Sequence, residues 1–82
     1  MATVDLVDNG DNTMTATPSF DASADAYDIE NSPDGLDPWT VDSSGTNVVA
    51  DNPLGEGIGF AWRVVVHSGL FGDVVSNQVD NF

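Results

Sequence analysis

The 82-residue chain has no lysine and no cysteine, one arginine and one histidine, against fourteen carboxylates, for a formal charge of −13. Each shortage excludes something. A nucleic-acid binder neutralises phosphates with Lys and Arg, and Arg63 is the single candidate here, so no nucleic-acid partner is expected. Attraction to an anionic membrane surface fails for the same reason. Without cysteine there is no disulfide framework, thiol nucleophile or thiolate metal site. No apolar run approaches the ~18 residues of a membrane span. The opening MATVDLVDNG lacks the basic and apolar segments of a signal peptide. The expectation is a protein made without export, unless Met1 begins a piece excised from a longer exported one. The length suits one domain, residues 1–82.

What the chain does contain argues for a fold. Hydrophobic residues make up 40%, among them eleven Val, four Phe, two Trp and one Tyr, which pack well on a pleated surface. Twelve of the fourteen acids are Asp, which favours turns and loops over helix interiors. The composition therefore predicts an all-β domain with an acidic surface. In dilute salt that many like charges repel and oppose the compact state, whereas at molar salt the Debye length falls to about 3 Å and the repulsion is screened. The balance resembles that of proteins from salt-loving organisms and their viruses; an acidic protein of ordinary habitat is the plain alternative.

Turn residues punctuate the chain at Asn9-Gly10-Asp11-Asn12, Ser32-Pro33-Asp34-Gly35, Asp42-Ser43-Ser44-Gly45, Asp51-Asn52-Pro53, Ser68-Gly69 and Gly72-Asp73. Seven short strands between them are predicted: 3–7, 13–17, 26–31, 39–41, 47–50, 58–67 and 74–79. Alternation turns Val4, Leu6, Met14, Ala16, Tyr27 and Ile29 inward, and Asp28 and Glu30 outward. In the sixth strand Ile58, Phe60, Trp62, Val64 and Val66 share one face, opposite Gly59, Ala61, Arg63, Val65 and His67. Such a strand belongs at the centre of its sheet, with Arg63 in reach of Asp28 or Glu30 if the third strand lies beside it.

These residues carry a resemblance to the fibronectin type III domain, within the immunoglobulin-like sandwiches. The family's most recognisable stretch is a Leu, a Tyr six residues later, then Arg-Val, and downstream a Gly and a Ser. Here Leu54 is followed by Phe60, Trp62-Arg63-Val64, Gly72 and Ser76. AYDIENSPDG with Trp39-Thr40 is similar to the family's third strand and hairpin, and MTATP to its second strand. The resemblance spans residues 3–79 and implies a seven-stranded antiparallel sandwich. Ala16 stands where the family carries a Trp, which calls for other fillers, with Trp62 and Trp39 expected in that role. Phe60 in place of the corner tyrosine loses the hydroxyl's bond to the backbone. Glu56 replaces the family's Pro, and another immunoglobulin-like strand order is the alternative.

Chemistry is sparse in the pattern. His67 has no nucleophile or acid at suggestive spacing and is expected at a strand end. With twelve Asp in 82 residues, carboxylate pairs arise by chance. Asp8, Asn9 and Asp11, with Asn12 and a second acidic cluster at Asp21 and Asp25, form a weak Ca²⁺ candidate that lacks the spacing and late Glu of an EF-hand; an Asx-rich turn is the plainer reading. Partner-contact candidates are Leu70 and Phe71 between two glycines, the terminal Phe82, and Val65. Phe71 folding back to cap the sandwich is the alternative there. Of the adjacent Val48 and Val49, one must face outward on an edge strand.

The expected function follows from context. Domains of the resembled class serve mostly outside cells, and tailed viruses carry immunoglobulin-like domains on capsids and tails. An acidic chain without an export signal fits a structural protein of the virion surface, assembled in the host cytoplasm. A capsid decoration protein of a halophilic tailed virus comes first, and a tail or neck component second. Such a protein would not be an enzyme and would need no cofactor. It would dock on a capsid or tail protein and could self-associate as a dimer or trimer. The rival is an adhesion or carbohydrate-binding module cut from a longer extracellular protein.

Overall fold

The structure, a computed structural model, describes residues 1–82 and consists of eight β-strands without a helix. In chain order these are β1 (Val4–Asp8), β2 (Thr13–Pro18), β3 (Ala26–Ser32), β4 (Thr40–Thr46), β5 (Leu54–Gly55), β6 (Phe60–Ser68), β7 (Gly72–Val75) and β8 (Val79–Asn81). Two antiparallel sheets result, one in the order β1-β2-β5 and the other β4-β3-β6-β7, with β8 also pairing β6. β6 is central, flanked by β3 on one side and by β7 and β8 on the other.

The inward residues of both sheets form one core, so the architecture is a β-sandwich. Val4, Leu6, Met14, Ala16 and Leu54 from the first sheet meet Tyr27, Ile29, Trp62, Val64, Val66 and Val74 from the second. The period-two alternation of β1, β2 and β3 is that expected of half-buried strands. Ala16 is fully buried, and Trp62, 3% exposed, is the largest side chain of the same core. Its indole N–H donates to the Gly57 carbonyl at 2.9 Å, so the ring is buried without an orphaned donor.

Trp39 is not a core filler. It lies half-buried on the outer face of the second sheet, where the Arg63 guanidinium stacks over its ring at 4.3 Å. Arg63 Nε donates to Glu30 at 2.6 Å, directly across the β3–β6 ladder. Of the two expected partners for Arg63, Glu30 is therefore the one used.

The stretch from 39 to 50 also departs from the sequence pattern. Residues 42–45, expected as a turn, run through the middle of β4, and 47–50, expected as a strand, form turns. Gly45 is there for packing: the Tyr27 ring lies across it, and a Cβ would come within 2.6 Å of the Tyr27 hydroxyl oxygen. Val48 points into the core at 1% exposure, while Val49 is open, as adjacency requires, but on a turn. Ile58 also leaves its expected inward face. It precedes β6 in a turn and is 66% exposed.

The last expected strand is divided. Val65 pairs with Val75 and Trp62 with Val79, so β6 advances three residues while its neighbour advances four. The extra residue is a bulge at 76–78. There Ser76 Oγ accepts the Val64 N–H at 2.8 Å, and the Asn77 side chain turns to the other sheet. Its amide accepts from Leu6 N–H and donates to Leu6 C=O, both at 2.8 Å, and so pairs with the open edge of β1 as a strand would.

Candidate functional site

One end of the sandwich gathers the loops 19–25, 47–53 and 69–71. Asp25 joins them: its carbonyl accepts the Asn47 N–H at 3.1 Å and its Oδ1 the Gly69 N–H at 3.4 Å. The β6–β7 loop is tight. Ser68, buried at the strand end, accepts the N–H groups of Leu70 at 3.2 Å and Phe71 at 3.0 Å, and Gly72 takes the positive φ of 74° that completes the turn. That backbone thrusts Leu70 outward at 83% exposure, with Phe71 beside it at 51%. Phe71 is propped by an edge-on contact with Phe20, ring centroids 5.4 Å apart, so its ring is oriented yet half open. Fold-back and presentation thus both describe Phe71. The contribution of Phe20 was invisible in the sequence, because no local spacing relates residues 20 and 71.

The other candidates lie elsewhere. Phe82, 66% exposed, sits at the opposite end near Ile58, where the Asn81 carbonyl accepts the Gly59 N–H at 2.7 Å. Val65 is 6% exposed on the outer face of β6 and offers a partner little area. Asp8, Asn9 and Asp11 build the turn between β1 and β2. Asp8 caps the Gly10 N–H at 2.8 Å, Asp11 accepts from Thr13, and the Asn9 amide reaches the hydroxyls of Thr13 and Thr15 at 3.1 and 3.0 Å. These bonds are those of an Asx-rich turn.

His67 is at the end of β6, as expected, but between two aspartates. Nδ1 lies 2.7 Å from Asp73 and Nε2 2.8 Å from Asp28, which also accepts from Ser44. Asp73 first, then Asp28, hold the imidazole above its ordinary value by favouring the charged form. The same contacts, led by the Ser44 hydroxyl, hold Asp28 below the usual carboxylate range. Both ring nitrogens are engaged, so the arrangement cross-links β3, β6 and β7.

Beside Arg63 and Trp39 lies an open cleft of about 330 Å³, also lined by Leu36, Asp37, Ser76 and Gln78. No family model matches the chain, and no curated protein or solved structure matches it.

Proposed function

We propose that the protein is a non-enzymatic attachment module of immunoglobulin-like, fibronectin type III-like design, which seats its Leu70–Phe71 end on a larger assembly. The strand order supports that design, with one difference from the constant-type immunoglobulin arrangement: the fourth strand joins the third, leaving three strands in the first sheet. β7 and β8 read as a single seventh strand interrupted by the bulge. The assembly in this reading is the virion of a tailed virus from a salt-rich habitat, with the chain as a capsid decoration protein or, second, a tail or neck component. The observation that carries the docking is the adjacent exposed pair Leu70 and Phe71, braced by the Ser68 hydroxyl and the Phe20 ring at one end of the sandwich. A preorganised apolar knob loses little freedom on binding. The acidic faces then stay toward brine.

A carbohydrate-binding module is the second reading, and the Trp39 cleft favours it. An aromatic ring beside a guanidinium, a carboxylate and an amide suits a sugar's apolar face and hydroxyls. One experiment separates the two. Chains carrying either L70S/F71S or W39A are mixed with particles stripped of this protein and with cell-envelope glycans, and retention is measured. Loss of particle binding in L70S/F71S alone, by about 2 kcal/mol or more, is the expected result for a central anchor. Loss of glycan binding in W39A, with no particle binding by either chain, would replace the first reading by the second.

A further inference from the structure

At the end opposite the Leu70 loop, Glu56 follows β5 with its side chain 2% exposed, and neither carboxyl oxygen has a hydrogen-bond partner. Strand pairing explains what surrounds it. Asp8 closes β1 opposite Met14, Met14 pairs with Leu54, and the Glu56 N–H donates to the Asn12 carbonyl at 2.9 Å. Glu56 is thereby brought against the acidic turn between β1 and β2. Burial, then the neighbouring charge of Asp8 and a hydrogen bond that the protonated carboxyl shares with it, with the charge of Asp11 behind, push the Glu56 carboxyl up to about 7. Once ionised it has no donor to answer it. In that turn Oδ1 of Asp8 and Oδ1 of Asp11 accept local bonds, while their second oxygens have none. The Asn81 amide donates to Asn12 Oδ1 at 3.2 Å and to the Glu56 carbonyl at 3.1 Å, which steadies the rim.

No cation of the protein answers this charge. Arg63, the only Lys or Arg, is held by Glu30 on the outer face of the second sheet, and His67 is at the far end of β6. We propose that Glu56 and Asp8, with Asp11 and Asn12 at the rim, form a calcium site. No three acidic side chains converge on one point, so the Asp8–Glu56 pair is the heart of the site and amide and carbonyl oxygens complete it. The donors are all hard oxygens on a turn and a loop, which suits Ca²⁺ better than Mg²⁺, with its demand for a near-ideal octahedron, or Zn²⁺, with its preference for nitrogen and sulfur. Glu56 supplies the late carboxylate that the 8–12 segment lacks, from 44 residues beyond Asn12 in the chain. The expected dissociation constant is on the order of 0.1–1 mM, as in extracellular calcium modules. This inference is independent of the docking reading.

Trp62 provides the probe, since its indole is bonded to Gly57, the residue after Glu56. Tb³⁺ is added to the full chain at pH 8 in molar NaCl, which screens diffuse attraction, and its emission is read under tryptophan excitation. Saturable emission that Ca²⁺ displaces, retained in W39F and weakened about tenfold or more in E56Q and in D8N, is the expected result. Thermal unfolding in the same buffer should show a Ca²⁺-dependent rise that E56Q lacks, while E56Q without Ca²⁺ melts no lower than the parent. Equal Tb³⁺ and Ca²⁺ responses in parent and E56Q, or no response in the parent, overturn the site. Should E56Q not fold, D8N decides by the same criterion.

Discussion

At the scale of single residues, the side chains that matter most are polar ones placed where the chain has few alternatives. His67 is the clearest. Its folded value is raised above the ordinary ~6.5, so its pairing with Asp73 and Asp28 is fully present below that pH and lost as pH rises through the folded value. With the imidazole 38% exposed, the pair is worth the ~0.2–1 kcal/mol of a surface interaction rather than more. Urea unfolding in molar salt should show the parent losing stability between pH 6 and pH 9 more steeply than H67Q; parallel profiles would remove the role. The comparison with H67Q is needed because Glu56, raised to about 7, drives stability in the same direction as pH rises from its unfolded ~4.5. His67 was legible in the sequence as a strand-end residue, but its aspartates were not. They come from β3 and from the loop-side end of β7, and only the ladder aligns them. Tyr27 shows the same dependence: burial, then Asp51 2.8 Å from its hydroxyl, pushes it up to about 12.

At the scale of elements, local pattern and tertiary pairing agree for β1, β2 and β3 and part company afterwards. The first three strands alternate cleanly because each has one wet face, so period two is written in their residues. The middle of β4, residues 42–45, reads as a turn because it is Asp-Ser-Ser-Gly with no apolar side chain. β4 is an edge strand with no buried face of its own, and it persists through pairing with β3. Two-residue β5 is too short for any pattern to register. The bulge that divides the last strand is equally silent, although Ser76-Asn77 at its centre joins the sheets. Replacing Asn77 with Ala leaves the Leu6 N–H and C=O without their partners on the edge of β1. A loss of about 1–3 kcal/mol is expected in urea unfolding, the scale for stranding partly buried backbone groups. N77A unfolding at the same midpoint as the parent would show that water serves that edge as well as the amide does.

At the scale of the whole molecule, charge sets the conditions and the two sheets set the sites. Fourteen carboxylates on a domain of radius of gyration 11.7 Å lie closer together than a Debye length in dilute buffer, which is about 30 Å at 0.01 M and about 3 Å at 1 M. The melting temperature is therefore expected to climb by several degrees between 10 mM and 1 M NaCl, and a flat curve would dispose of salt adaptation. The sequence by itself determined the all-β class, the acidic surface, the inward faces of the early strands and the placement of Leu70 and Phe71 at a loop tip. These follow from composition, period-two alternation and flanking glycines, all local properties. Only the tertiary structure decided which acid Arg63 pairs with, that Trp39 stays outside the core, that Phe20 props Phe71, and that Glu56 is buried against Asp8. Those outcomes depend on which strands become neighbours and in what register. A shift of one residue in a ladder moves every side chain to the opposite face, and no spacing along the chain encodes that choice on its own.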